Sequence, residues 1–108
     1  MAITNVNLRD FISASNDVIY EGSANDGDLL VTDGVVLFAN TMGDVYFYNT
    51  TSIAHARCYN YTYWKVSMST SGERIFDHPF PSEAEAKRFL KALMAATNGT
   101  GAPLKTLA

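Results

Sequence analysis

Gly27-Asp28-Leu29-Leu30-Val31-Thr32-Asp33-Gly34-Val35-Val36-Leu37-Phe38-Ala39-Asn40 is a pair of apolar runs on either side of Asp33-Gly34. Asp-Gly between apolar runs is a strong short-range hairpin signal, because both central residues of a type I′ turn need positive φ. Closing that turn pairs Thr32 with Val35, Val31 with Val36, and Leu29 with Phe38. Side chains alternate along a strand, so Leu29, Val31, Val36 and Phe38 then share one face. After the turn Thr41-Met42-Gly43-Asp44, the run Val45-Tyr46-Phe47-Tyr48 extends the hairpin to a meander.

Working outward, Asp17 to Glu21 reads as a preceding strand, and residues 22–27 form a loop by composition. A fifth strand runs from Ile53 to Cys58 with two possible registers. Either Ile53, His55 and Arg57 face inward, or a bulge turns Ile53 and Ala56 inward. From Tyr61 to Ser69, Trp64, Val66 and Met68 alternate with Tyr63, Lys65 and Ser67, which predicts a strand with core on one side and water on the other. Arg74 to Asp77 is the seventh strand, and Pro79 and Pro81 end its pairing because proline has no ladder donor.

A helix follows. Ser82 is a good N-cap, and Glu85 at the third helical position completes a capping box. Ala86, Phe89, Leu90, Leu93 and Met94 form its apolar stripe, and Gly99 is placed to end it. Leu8, Phe11 and Ile12 sit at helical spacing, so residues 1–16 read as an arm with a short helix that must dock or fray. The chain thus divides into that arm, one domain over 17–98, and a flexible tail over 99–108 with Leu104 and Leu107 as its anchors. The expected fold class is α+β: a strongly bent seven-stranded antiparallel sheet, or partly open barrel, capped by one C-terminal helix.

A chain of 108 residues is one domain able to bury a modest core. Cys58 is the single cysteine, so no internal disulfide forms, in keeping with a reducing compartment. The first residues carry no basic and apolar export pattern, and a cytoplasmic location is expected. Sequons at Asn49, Asn60 and Asn98 are then chance matches. The net charge of −3 is unevenly spread. Up to Ala56 the one base is Arg9, whereas Arg57, Lys65, Arg74, Lys87, Arg88, Lys91 and Lys105 follow, read as the solvated face of a helix. An acidic chain without a basic stripe disfavours nucleic acid, and no apolar run suggests membrane insertion.

Gly27-x-Leu29-x-Val31-Thr32 with Val36-x-Phe38-x-Asn40, then Ser52-Ile53, then Phe76 and Phe80 before Ser82-Glu83-Ala84-Glu85-Ala86 together resemble the pleckstrin-homology-like superfamily. GRAM domains and bacterial PH domains are the nearest in pattern, over residues 17–97. The resemblance implies a binding module, whose best-known ligand is a phosphoinositide held by Lys and Arg around the first loop. Here residues 23–28 contain no base, and Asp26, Asp28 and Asp44 are expected on one rim, which argues against phosphoinositide.

Those three aspartates have no EF-hand spacing, so no metal is expected. His55 reads as a sheet residue with an ordinary hydrogen bond, His78 as a capping or solvent-facing residue at a strand end, and Cys58 as a small apolar filler. No nucleophile elbow, P-loop or dinucleotide fingerprint occurs, so no catalytic residue and no cofactor is expected. The tyrosines are more informative. Tyr46 and Tyr48 should point away from the face that buries Val45 and Phe47, and Tyr61 and Tyr63 cluster at the start of the sixth strand. Exposed tyrosines supply interface area. The expected function is a non-enzymatic protein-binding, peptide-binding or self-associating module, with Tyr46, Tyr48, Tyr61 and Tyr63 as its patch and the aspartates steering a basic partner. Such a chain would also suit a virus-encoded inhibitor of a host protein. The alternative is a small-molecule or signalling ligand in a sheet–helix pocket.

Overall fold

In the computed structural model, which describes residues 3–99 and 105–106, the meander around Asp33-Gly34 is one complete sheet. Its strands β1 (Val18–Ala24), β2 (Gly27–Thr32), β3 (Val35–Asn40) and β4 (Val45–Asn49) are antiparallel in that order. A second sheet contains β5 (His55–Tyr61), β6 (Tyr63–Ser69) and β7 (Arg74–Pro79), with the two-residue β8 (Lys105–Thr106) parallel to β5. Helix α1 (Glu83–Gly99) follows β7.

Among the described residues the architecture is α+β, with seven antiparallel strands in two sheets, rather than in a single bent one, and one C-terminal helix. The break falls where a 3-10 turn, Thr50–Ser52, separates β4 from β5, and no hydrogen-bonded ladder joins the two sheets among the described strands. The barrel is not closed. Of the expected tail over 99–108, Leu104 and Leu107 lie outside the described residues.

The central register is the one expected from alternation, with Leu29 opposite Phe38 and Val31 opposite Val36. The turn between them is different. Neither Asp33 nor Gly34 has positive φ, so it is not type I′. Thr32 Oγ1 instead accepts from the amides of Gly34 and Val35 at 3.2 and 3.1 Å. The buried Thr50 donates its amide to the Gly34 carbonyl at 3.1 Å and its hydroxyl to that of Asp33 at 3.3 Å. A local side-chain acceptor and a tertiary donor replace the backbone conformation that the dipeptide favours. The positive-φ glycine of the meander is Gly43, at +90°, in the β3–β4 turn.

Every residue of β2 is buried, on both faces. Inward, Leu29 and Val31 join Val36 and Phe38, the second sheet's Ala56, Val66, Met68 and Phe76, and the helix residues Ala86, Phe89, Leu90 and Leu93. Ile53 and Ala56 both face this core, the second of the two registers considered for the fifth strand. Met94, at the margin of the stripe, is exposed. Outward, Leu30, Leu37 and Ala39 are covered by Leu8 of the arm. The arm makes a single 3-10 turn, Leu8–Phe11, and Phe11 stays exposed instead of docking with Leu8. On β6 the expected wet face is also partly closed, since Ser67 and Ser69 are buried.

Ser82 caps α1 through its Oγ, which accepts from the Glu85 amide at 3.2 Å. Glu85 does not complete the box. Its carboxylate accepts from the Tyr20 hydroxyl at 2.7 Å and from Arg88, whose guanidinium also reaches the Glu21 carbonyl and lies 4.6 Å from the Tyr20 ring centre. These contacts tie the helix to β1. The Arg88 bond holds the Glu85 carboxyl below its usual range; burial opposes this, and the Tyr20 bond adds to it.

The arm is pinned by Asp28. Its carboxylate accepts from the amides of Ile3 and Thr4, both at 2.9 Å, and from the hydroxyls of Thr4 and Ser23, both at 2.6 Å. Burial disfavours the charged form, but these donors outweigh it and hold the carboxyl below its ordinary value. A folded value below the unfolded one of about 3.9 gives stability that is complete above that pH and lost as pH falls through the folded value. Asp28→Asn places amide hydrogens against donors and is expected to cost about 1–3 kcal/mol at neutral pH. It should also speed amide exchange at Ile3 and Thr4 and flatten the acid limb of the stability profile, as read by thermal unfolding and hydrogen exchange.

Candidate functional site

Because the barrel is open, β4 and β7 are both outermost strands of their sheets, and a groove lies between them. Phe38, Tyr46 and Tyr48 line it from the first sheet, Ile75 and His78 from β7, and Asp26, Asn40, Thr41 and Met42 from the turns at one end. Tyr46 and Tyr48 line it because they sit opposite Phe38 and Val36, and directly opposed residues share a face. This reverses the sequence expectation. Phe47 is the residue turned outward, 65% exposed on the far face, while Tyr48 is half-buried with its ring 6.5 Å from Phe76. Burial, with a smaller contribution from Tyr46, pushes the Tyr48 phenol above its ordinary value.

His78 is not a simple strand-end cap. Its ring centre lies 4.6 Å from both Phe38 and Phe76, and Nδ1 is 3.0 Å from Asp26 Oδ2. The pair fixes an imidazole in an aromatic slot. No hydroxyl or thiol of the described residues bonds its second nitrogen.

The four tyrosines expected as a patch and the three aspartates expected on one rim separate into three places. Asp26, Tyr46 and Tyr48 meet in the groove, and Asp44 adjoins it through Asn40, whose Nδ2 donates to Asp44 Oδ2 at 3.3 Å. Asp28 is not on the rim; it is turned inward under the arm, where four donors need a buried acceptor. Tyr61 and Tyr63 flank Thr62 at the β5–β6 tip, with β7 between them and the groove. Thr62 has φ +65°, a conformation costly for a β-branched residue.

Sequence reasoning missed Ile75, His78, Met42 and Asn40 as groove residues. They come from turns and strands far apart in the chain, and only the turn Thr41-Met42-Gly43-Asp44 marked any of them locally.

A second concavity lies where α1 crosses β5 and β6. It is lined mainly by Cys58, Trp64, Leu90 and Met94, with Lys87 and Lys91 at its margin. Burial pushes the Cys58 thiol above its usual value, an unreactive state. Among the described residues no three His, Cys, Asp or Glu side chains are grouped to hold a metal ion. None of the helix is long and apolar enough to cross a membrane.

No known family model matches this chain, and no curated protein matches its sequence.

The two groove tyrosines carry different structural weight. Tyr48→Ala is expected to lower stability by about 2 kcal/mol through lost packing on Phe76, whereas Tyr46→Ala should cost less than about 1 kcal/mol. Urea unfolding of the two variants checks this, and equal losses would contradict the orientation described.

Proposed function

We propose that this chain is a non-enzymatic, pleckstrin-homology-like binding module that takes an extended segment of a protein partner along the outer edge of β4. The observation that carries the reading is the β4 edge, which pairs with no further strand among the described residues, beside a groove with an aromatic wall. A peptide added to a sheet edge gains main-chain hydrogen bonds there, and alternate side chains enter the adjoining groove. Tyr46 and Met42, 46% and 81% exposed, would supply apolar contact area. Asp26 and Asp44 at the same end favour a basic residue in the partner. Two sheets followed by one C-terminal helix, with the quoted hairpin motifs on β2 and β3, are compatible with the pleckstrin-homology-like reading. Asp26 in a first turn without any base argues against phosphoinositide there, and the same edge would serve a second copy of the chain.

A second reading has its own support in the apolar concavity beside α1, which would suit a small apolar ligand. Selection of random displayed peptides against the folded protein separates the two. The first reading expects enriched peptides that alternate apolar and basic residues and protect β4 amides from hydrogen exchange. It also expects Tyr46→Ala and Asp26→Asn each to weaken binding by about fivefold or more. Protection confined to α1 and β5, or equal affinity for wild type and Tyr46→Ala, would overturn it.

A further inference from the structure

The outer face of the second sheet carries cations that the groove does not use. Register sets His55, Ser69 and Arg74 in one row across β5, β6 and β7, and Arg57, Ser67 and Asp77 in the next. Asp77 is the carboxylate of this surface and is already engaged. It accepts from the Tyr59 hydroxyl at 2.7 Å and lies 3.7 Å from Lys65 and 3.4 Å from Arg74. Arg57 is held differently: its guanidinium lies 3.9 Å from the Tyr59 ring centre and has no carboxylate partner among the described residues. His55 is a sheet residue, as expected, but its side chain makes no hydrogen bond to a described residue. Ser67 and Ser69 are 6% and 8% exposed, and their hydroxyls have no hydrogen-bond partner among the described residues. His55, Arg57, Ser67, Ser69 and Arg74 together line a depression of about 340 Å³.

We infer that this depression is a binding site for the phosphoryl group of a small phosphorylated molecule. The guanidinium of Arg57, the N–H groups of Arg74 that its Nη1 contact with Asp77 leaves over, an imidazole and two hydroxyls from three strands line one small volume. A tetrahedral oxyanion has enough acceptors, pointing in enough directions, to meet donors arranged on three sides, whereas a planar carboxylate does not. Tyr59 pre-orients Arg57 by stacking, which lowers the ordering cost of using its fork. Lys65 and Arg74 are tied to Asp77, so no continuous basic track leads away along which a polynucleotide would lie. The site is distinct from the β4–β7 groove and does not depend on what binds there.

The test is an amide NMR titration with inorganic phosphate, then with adenosine monophosphate and with a phosphoserine peptide, against sodium chloride at matched ionic strength. The expected result is saturable shifts centred on residues 55–57, 67–69 and 74, with adenosine monophosphate at least as tight as phosphate and tighter than the peptide. Arg57→Gln should weaken phosphate by about tenfold and Ser67→Ala by about threefold, with thermal unfolding showing both variants folded. Lys91→Gln, which removes an equal charge on the helix, should change nothing. Absence of saturable shifts, equal weakening by Lys91→Gln, or unchanged affinity in both Arg57→Gln and Ser67→Ala would overturn the site. Tighter binding of the phosphoserine peptide would overturn its assignment to a small ligand.

Discussion

One strand in this fold has no solvent face. β2 is buried on both sides, so the chain must supply two separate covers for it. Inside, the second sheet and α1 do so around Leu29 and Val31. Outside, the arm lays Leu8 over Leu30 and Leu37. An arm with one 3-10 turn cannot hold itself in place. It is therefore fastened by Asp28, an acidic residue that tolerates burial because two amides and two hydroxyls face its oxygens. Gly27, just before it, has no room for a side chain: an added Cβ would strike the Ala39 carbonyl and the Phe38 ring. The start of β2 is thus specified by close backbone approach on one face and by charge capture on the other.

Where backbone pairing stops, aromatic packing takes over. Phe38 meets Phe76 edge-on at 5.6 Å, and Phe76, Phe80 and Tyr20 all pack on Phe89 of α1, at 5.7, 5.3 and 5.5 Å. These rings connect the sheets without a ladder, so the seam between β4 and β7 stays open while the core behind it is buried. His78 belongs to this column as much as to the groove, since Phe38 and Phe76 grip its ring. The candidate site is therefore a consequence of how the two sheets are joined.

What was legible in the sequence followed from local periodicity. Alternation paired Leu29 with Phe38, and the three-to-four spacing found the buried helix stripe. What was hidden depended on partners distant in the chain. Thr50 reaches back to the Asp33-Gly34 turn, and no dipeptide rule anticipates a donor 17 residues away. The face of β4 was misread because apolar Val45 and Phe47 suggested an inward pair. The β3–β4 turn fixes parity by setting Ala39 opposite Val45, which carries Tyr46 and Tyr48 inward and Phe47 outward. The bases were likewise assigned to one helix, yet Arg57, Lys65 and Arg74 stand on the outer face of the second sheet. Only strand register, not spacing in the chain, brings those residues together.

The edges of the sheets differ in how far they are guarded against pairing with other chains. β1 has a bulge between Val18 and Tyr20, and α1 packs on it. β7 starts at a charged Arg74 and ends at Pro79, which has no amide hydrogen to offer. Bulges, charges and prolines are the devices by which sheets avoid pairing with other chains. β4, Val45–Asn49, has no proline, no charged residue and no bulge against β3, and it presents Phe47 and Tyr46 to solvent. An edge with none of these safeguards is a liability for an isolated protein. On the reading proposed above, a bound segment would pair the amides and carbonyls of that edge and cover Tyr46, with Phe47 left on the opposite face.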